Sequence, residues 1–152
     1  MTPEFGLTEA WIALVKREEG WRSKPYLDPV GLPTIGYGHR IPSMEHPELT
    51  EAEGEALLRS DLLIARDAAV AASPTLEQAS ENRCAAIADF CYNVGPAKYL
   101  TSVLKVRVDG TLWGQAAFEN RKWMHGKVNG EMRVLPGLVR RREVTSDWLE
   151  QG

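Results

Sequence analysis

The sequence predicts a mainly helical α+β fold with two lobes, in which a long helix connects a small antiparallel sheet lobe to a C-terminal helical lobe. Three observations predict it. A segment dense in proline, glycine and β-forming residues follows a first helical segment near the N-terminus. A long helical pattern comes next, and only short helical patterns separated by turn residues follow it. At 152 residues the chain has the size of one domain that needs no disulfide or metal to hold its core.

Local signals place the elements of the first half. Glycine is a good left-handed terminator of a helix, and the glycines and prolines that come next are typical of turns between short strands. The pair Thr50 and Glu53 has the spacing of a capping box, which opens the long helix, and Ser73-Pro74 ends it. The predicted elements are a helix from Thr8 to about Gly20, a small sheet within residues 24–41 and a helix over residues 51–72.

Caps and prolines also divide the second half. Its predicted elements are a helix from Ser80 to Gly95-Pro96, a helix over about 97–107, a helix capped by Thr111 that runs through Trp123, a loop over 126–135 and a last helix from Pro136 to about Leu149. The prediction is therefore one domain over residues 1–152, with 20–48 in the sheet lobe, 51–72 in the connecting helix and 75–150 in the helical lobe. We expect clefts between these parts, which are common places for ligands.

The charge is unevenly distributed along the chain. The net charge is −3, but residues 1–82 carry 7 Lys/Arg against 14 Asp/Glu, whereas residues 83–152 carry 11 against 7. A basic C-terminal half favours attraction to an anionic polymer such as a cell wall, although a solvated charged face is an equally good explanation. An isoelectric point of about 5.7 and the lack of a recognition motif argue against nucleic acid as a partner.

The cysteines and the hydropathy pattern exclude further classes. Cys84 and Cys91 lie seven residues apart on one predicted helix, so their Cα atoms are about 10 Å apart, too far for a disulfide. They are predicted to be buried core residues. No apolar run approaches the ~18 residues of a membrane span, and the N-terminus lacks a signal-peptide pattern. We therefore expect neither a signal peptide nor a membrane anchor.

Two carboxylates and a hydroxyl surround a glycine-rich turn. Glu19, Asp28 and Thr34 are the residue types that hydrolyse a glycosidic bond, because one carboxyl can protonate the leaving oxygen while the other directs a water. Glu18 and Glu19 both fall at the edge of the apolar face of the first helix, so periodicity leaves the choice between them open.

This segment resembles the signature of phage-type lysozymes (glycoside hydrolase family 24), and most closely that of lambdoid phage endolysins. In that signature a Glu, an Asp and a Thr are separated by eight and five residues, and Ile-Gly-Tyr-Gly-His follows; here these are Glu19, Asp28, Thr34 and residues 35–39. Two later segments are similar to the family in the same order, Phe90–Gly95 and the arginine-rich stretch that ends in Arg140-Arg141-Arg142-Glu143. The resemblance covers residues 8–149 and selects Glu19 over Glu18.

The resemblance implies a lysozyme-like fold and a muramidase that cleaves between N-acetylmuramic acid and N-acetylglucosamine. By it Glu19 is the general acid, Asp28 handles the attacking water and Thr34 holds that water. The family is similar to inverting glycosidases, so we expect the two carboxyl groups to be about 6.5–9.5 Å apart. Pro33 departs from the pattern, because an aromatic is commoner before the threonine.

Four further residues are candidates for supporting roles. Tyr37 and Asn93 are candidate substrate-binding residues, although Tyr37 equally suits sheet packing and Asn93 equally suits a helix C-cap. His39 and Asp61 are predicted to form a structural pair between the sheet and the long helix. No metal site and no cofactor are predicted, because the histidines lack ligand partners at useful spacing.

The family also implies a setting for the enzyme. Its substrate is bacterial peptidoglycan, and the enzyme waits in the host cytoplasm for a holin-like membrane partner to release it for host lysis. Nothing in the sequence demands more than a monomer. A lytic transglycosylase and a non-catalytic wall-binding module on the same fold are the alternatives.

Overall fold

The computed structural model describes residues 1–152, which form seven α-helices, one 3₁₀ helix (Pro74–Gln78) and five short strands. Helices dominate and the strands are antiparallel, which confirms the predicted α+β class. No helix is both long and apolar enough to span a bilayer. In chain order the elements are α1 (Glu9–Glu19), β1 (Arg22–Leu27), β2 (Pro33–Gly36), β3 (His39–Arg40), α2 (Glu51–Ala72), α3 (Glu81–Asn93), α4 (Pro96–Leu100), α5 (Val103–Asp109), α6 (Trp113–Arg121), β4 (His125–Val128), β5 (Glu131–Val134) and α7 (Pro136–Gln151).

The chain divides into two compact units. The sheet-bearing unit is Glu9–Ile64, and the helical unit comprises Met1–Thr8 with Ala65–Gly152. In the sheet-bearing unit, β1, β2 and β3 form a three-stranded antiparallel sheet in that order. Burying aliphatic and aromatic side chains on one side of so small a sheet is what makes it stable. Its core consists of Ile35, Ile41 and Leu49, with Trp21 and Leu57 packed against them.

The start of α2 has the predicted capping box. The Thr50 amide donates to Glu53 Oε1 at 2.9 Å, and the Glu53 amide donates to Thr50 Oγ1 at 3.2 Å. Two amide groups that the helix itself leaves unpaired are thereby satisfied.

The helical unit is built on α3 and α7, which pack against each other, while α6 packs on α7 and on α5. Its buried side chains include both free cysteines, Cys84 and Cys91, which confirms their prediction as core residues. Asp89 is enclosed with them between two arginines: Arg141 Nε and Nη2 donate to its two oxygens at 2.9 and 2.7 Å, and Arg142 Nη1 lies 3.9 Å from its Oδ2. A carboxylate that is ion-paired and accepts two hydrogen bonds can be buried at a site where an isolated carboxylate could not.

Two predicted helices of this unit have the wrong boundaries. The helix predicted over 97–107 is two helices, because Ser102 interrupts it: its hydroxyl donates to the carbonyl of Tyr99 and accepts from the Lys105 amide, which caps α5. The cap predicted at Thr111 is also wrong. Thr111 has φ of 55°, and α6 begins after Leu112 and ends at Arg121.

The loop predicted over 126–135 is wrong as well, because most of it is the hairpin of β4 and β5. Asn129 and Gly130 form its turn with φ of 51° and 82°, the conformation that an Asn-Gly pair favours between two strands. The strand residues are mostly exposed, so the hairpin has no buried face, and the alternation that normally reveals a strand is missing.

Candidate active site

Glu19 is the last residue of α1, and the turn of the glycine motif shapes the space around its carboxyl group. The next residue, Gly20, has φ of 71° and its amide donates to the Lys16 carbonyl at 2.9 Å, which closes the helix. A Cβ atom on Gly38 would lie 2.6 Å from Glu19 Oε2. Because that is closer than real carbon contacts come, Gly38 leaves the room that the carboxyl group occupies. Gly38 also has φ of 77°, where L side chains are strained.

Asp28 follows β1 directly and is held at both carboxylate oxygens. Oδ1 accepts from the amides of Leu32 at 2.8 Å and Val30 at 3.0 Å. Oδ2 lies 2.6 Å from Nη1 of Arg40 on β3. The Leu32 amide, then the Val30 amide and the Arg40 guanidinium, hold the pKa of Asp28 below its ordinary value despite its burial. Asp28 is therefore a carboxylate that can accept a proton, and it is unsuited to donating one.

Thr34 lies on β2, the middle strand of the sheet. It is opposite Tyr26 on β1 and Arg40 on β3, so the three side chains share one face of the sheet. Its hydroxyl donates to the Leu32 carbonyl at 2.9 Å, and the residue is 3% exposed. Since the proton of this hydroxyl is already used, its lone pairs are what it can offer to a water. Pro33 lies at the start of β2, where the missing amide costs no internal ladder bond.

Tyr26 is a candidate site residue that was not predicted from the sequence. Burial raises the pKa of Tyr26, and the negative charges of Glu19 and then Asp28 raise it further, whereas Arg22 and Arg40 lower it. The Tyr26 hydroxyl is therefore within electrostatic reach of both carboxylates. Tyr26 on β1 and Asp28 just after this strand are two residues apart, and in an extended chain this spacing points two side chains to the same side, which is the signal that could have identified Tyr26.

Tyr37 has surroundings that favour its packing alternative. It is 5% exposed, and its hydroxyl donates to Glu51 Oε1 at 2.7 Å. Its ring centroid lies 4.9 Å from that of Trp21. Burial, followed by the hydrogen bond to Glu51, raises the pKa of Tyr37 to about 12. A phenol that is enclosed and already bonded has little surface left for a sugar.

His39 and Asp61 lie together within the sheet-bearing unit. His39 Nδ1 is 2.8 Å from Asp61 Oδ2, and both side chains are about one quarter exposed, at 27% and 24%. The contact joins β3 to α2. At this distance and exposure it is a hydrogen bond that ties the two elements together.

Asn93 belongs to the helical unit, at the end of α3. Its Oδ1 accepts a hydrogen bond from Arg142 Nη2, while the residue that caps the helix is Val94. The C-cap alternative for Asn93 therefore does not hold. Asn93 lines a pocket of about 620 Å³ whose wall also includes Lys98 and Trp123.

The arginine-rich segment divides between two environments. Arg141 and Arg142 are buried, at 3% and 1% exposure, and Arg142 also donates from Nε to the Trp123 carbonyl at 3.0 Å. Arg140 is exposed. Two of the three cations thus hold the helical unit together, and only Arg140 presents its charge to solvent.

Comparison with known proteins gives consistent results. The family model for phage lysozyme matches residues 16–145. An endolysin of Acyrthosiphon pisum secondary endosymbiont phage 1 is 34% identical over 137 residues, which are 90% of this chain and 92% of that protein. The muramidase domain of SpmX from Asticaccaulis excentricus has a similar structure, with a TM-score of 0.82 and 31% identity over 93% of this chain and 95% of that one.

An endolysin from the Escherichia coli O157:H7 phage FAHEc1 gives a TM-score of 0.81 at 27% identity, and the match covers 94% of this chain and 92% of that one. The agreement extends over nearly the whole length of both the sequences and the structures. It confirms the lysozyme-like fold and the class of glycoside hydrolase predicted from the motifs. The chain belongs to the phage lysozyme family.

Proposed function

We propose that Glu19 and Asp28 catalyse the inverting hydrolysis of the β-1,4 bond between N-acetylmuramic acid and N-acetylglucosamine in peptidoglycan. The environment of Asp28 is the observation that carries the assignment. Two backbone amides and a guanidinium favour its ionised form, so Asp28 is the proton acceptor. Glu19, the other carboxyl group within electrostatic reach of Tyr26, is then the proton donor.

The reaction divides between the two groups as follows. Glu19 transfers its proton to the glycosidic oxygen while the bond from that oxygen to the anomeric carbon breaks. A water on the opposite face of the sugar forms the new bond to this carbon and gives a proton to Asp28. Thr34 Oγ1 accepts a hydrogen bond from the second proton of that water, because its own proton is donated to the Leu32 carbonyl. Attack from the opposite face inverts the anomeric configuration.

This mechanism needs space for a water between the sugar and Asp28. We therefore keep the expectation that the carboxyl groups of Glu19 and Asp28 are about 6.5–9.5 Å apart, the range of inverting glycosidases. The enzyme should release the α-anomer first. Proton NMR of fresh product distinguishes the anomers before they equilibrate, and a β-anomer as the first product would exclude inversion.

We propose that Asn93 contributes to substrate binding through its amide nitrogen. Its oxygen already accepts from Arg142, so only the NH₂ group is available for an N-acetyl carbonyl or a sugar hydroxyl. The pocket beside it offers an aromatic ring, Trp123, and the charge of Lys98. Asn93→Asp removes the donor and keeps the size, so it should raise KM with little change in kcat.

The catalytic roles are tested with two isosteric variants. Glu19→Gln and Asp28→Asn should each lower kcat by about 10²–10⁴-fold, the contribution of a positioned acid or base. Glu18→Gln is the matched control, because Glu18 is also an exposed glutamate in the last turn of α1. It should keep wild-type activity. If Glu19→Gln clears cell walls as well as the wild type does, Glu19 is not the catalytic acid. If neither protein clears them, the chain is a non-catalytic wall-binding module.

The chemistry of the product distinguishes the enzymatic alternative. A hydrolase leaves a reducing muramic acid end, whereas a lytic transglycosylase leaves a 1,6-anhydro end because the sugar's own hydroxyl replaces water. Mass spectrometry of digested peptidoglycan separates the two products by the mass of one water. A product consisting of the anhydro form alone would exclude the water-handling role of Asp28.

We further propose that the protein is a monomer that stays in the host cytoplasm until a holin-like membrane partner lets it reach the wall. The support is its likeness to a phage endolysin over nine-tenths of the chain. Expression in a bacterial host should cause lysis only when a pore-forming protein is co-expressed. Light scattering after gel filtration should give a mass near 16.9 kDa.

A further inference from the structure

We propose that Arg40 is a positioning residue for Asp28: its guanidinium fixes the direction of Oδ2 while that oxygen receives the proton of the attacking water. This inference rests on the proposed role of Asp28 in hydrolysis. It adds a residue that neither the sequence motif nor the family likeness assigns.

The sheet register brings Arg40 to Asp28. Arg40 is opposite Thr34 on β2, and the residue before it is paired in the same ladder. The Ile41 amide, one residue later, donates to the Pro33 carbonyl at 3.1 Å, so the backbone before and after Arg40 is held against β2. From there Nη1 lies 2.6 Å from Oδ2, so the two groups form a close ion pair. A strand ladder places the arginine more precisely than the tip of a loop would.

The bonds to Asp28 divide its two oxygens between different tasks. Oδ1 accepts two backbone amides, which occupy it fully. Oδ2 is ion-paired with Arg40 and is the oxygen left to take the proton of the water. Because the guanidinium and the two amides hold the carboxylate from both sides, Oδ2 keeps a defined position. After the transfer, the same positive charge favours the return of this proton to solvent, which restores the carboxylate.

The exposures of the two side chains agree with this role. Asp28 is 13% exposed and Arg40 is 58% exposed, so the carboxylate is largely enclosed while the cation closes its outer side. The charged and titratable groups around Asp28 are Arg40 on β3 and Tyr26 on β1. Glu19 at the end of α1 and Arg22 on β1 act on the same tyrosine. Arg40 is the cation bonded to the Asp28 side chain, so its removal should shift the titration of Asp28 toward higher pH.

The test compares Arg40→Gln with Arg40→Lys. Two readouts are measured for each: the titration midpoint of the Asp28 carboxyl carbon by ¹³C NMR, and kcat and KM on soluble peptidoglycan fragments as a function of pH. Arg133→Gln is the matched control. Arg133 lies on a strand with 62% exposure and one carboxylate partner, Glu131 at 2.9 Å, which resembles the setting of Arg40.

We expect Arg40→Gln to raise the Asp28 midpoint and to move the acidic limb of the kcat/KM profile to higher pH by the same amount. At pH 7 its kcat should fall by about tenfold with KM unchanged, less than the ~10²–10⁴-fold loss on removing the base itself. Arg40→Lys keeps the charge but lacks the planar fork, so it should restore the midpoint and only part of kcat. Arg133→Gln should match the wild type in all readouts.

The outcomes separate this inference from the proposed function. An unmoved Asp28 midpoint in Arg40→Gln would show that the pair is absent in solution, and an increase in KM at constant kcat would make Arg40 a substrate contact; either result overturns the inference. If Asp28→Asn is inactive while Arg40→Gln keeps the wild-type kcat and acidic limb, the inference fails and the proposed function stands. If Asp28→Asn stays active, the proposed function itself fails. Should Arg40→Gln unfold, Arg40→Leu supplies the same charge removal with an aliphatic side chain.

Discussion

The substitution Gly38→Ala should inactivate the enzyme mainly by moving one carboxyl group. The new Cβ would lie 2.6 Å from Oε2 of Glu19 and 2.7 Å from its Cδ. Since non-bonded carbon contacts are comfortable at about 3.5 Å or more, the carboxyl group must retreat by about 1 Å. It lies at the end of a flexible side chain, so it moves more easily than the backbone does. A displacement of about 1 Å at a reacting group costs on the order of 10²-fold in rate.

The stability cost of the same change is smaller and can be separated from the rate effect. Gly38 has φ of 77°, and an alanine there costs about 1–2 kcal/mol of unfolding free energy. Gly130 is the matched control, because its φ is 82° and no atom lies within 4 Å of an added Cβ. Gly130→Ala carries the backbone strain alone. Its unfolding free energy should therefore fall by no more than that of Gly38→Ala, and its activity should equal that of the wild type.

Both quantities are accessible to simple assays. Urea unfolding followed by circular dichroism gives the loss of stability, and the release of reducing ends from peptidoglycan fragments gives kcat/KM. We expect Gly38→Ala to fold at 25 °C and to lose about 100-fold in kcat/KM relative to Gly130→Ala. If the two variants differed by less than about threefold in activity, the idea that Gly38 sets the position of Glu19 would be refuted.

Three other predictions concern stability. Gly54→Ala gains about 1 kcal/mol of helix propensity but places a Cβ 2.1 Å from the Trp21 ring, and because such overpacking costs about 1–3 kcal/mol, urea unfolding should show a net loss. Asp89→Asn leaves the buried Arg141 without its ion-pair partner and should lower the unfolding free energy by about 3–5 kcal/mol in the same assay. Arg66→Ala removes a buried guanidinium that donates to two carbonyl groups of the N-terminal segment, so amide hydrogen exchange there should accelerate while kcat stays unchanged.

Local signals along the chain made most of the fold predictable, and the ordered motifs supplied the candidate site residues, whose roles stay predictions. The capping box at Thr50 and the cap at Ser80 are local signals, and local chemistry alone decides them. The strands β4 and β5 were missed because pattern analysis looks for a buried face and this hairpin has none. The Asn129-Gly130 pair is the signal that could have identified the hairpin. An Asn-Gly pair is stronger evidence for a hairpin turn than the lack of alternating apolar residues is against one.

The partners of Asp28 were out of reach of pattern analysis for a different reason. That Arg40 meets Asp28 depends on the register of β3 against β2 and on the turn that follows β1, which together bring residues twelve positions apart into contact. A shift of the register by one residue would place Arg40 on the opposite face of the sheet. Motif spacing supplies the candidate groups for the chemistry, but the residues that contact those groups come from strand pairing, which only the folded chain shows.

The two carboxyl groups of the site depend on the surrounding chain in different ways, and this difference predicts which substitutions the enzyme tolerates. Asp28 is anchored by backbone amides, which substitution of the side chains of Val30 or Leu32 does not remove. Glu19 depends on the space left by one absent side chain at Gly38. Changes in the turn after β1 should therefore affect the rate little, provided that its backbone conformation is kept, whereas any side chain at position 38 should reduce it. Position 38 is therefore the more sensitive of the two places, because a side chain added there meets the Glu19 carboxyl group directly, at 2.6 Å from Oε2.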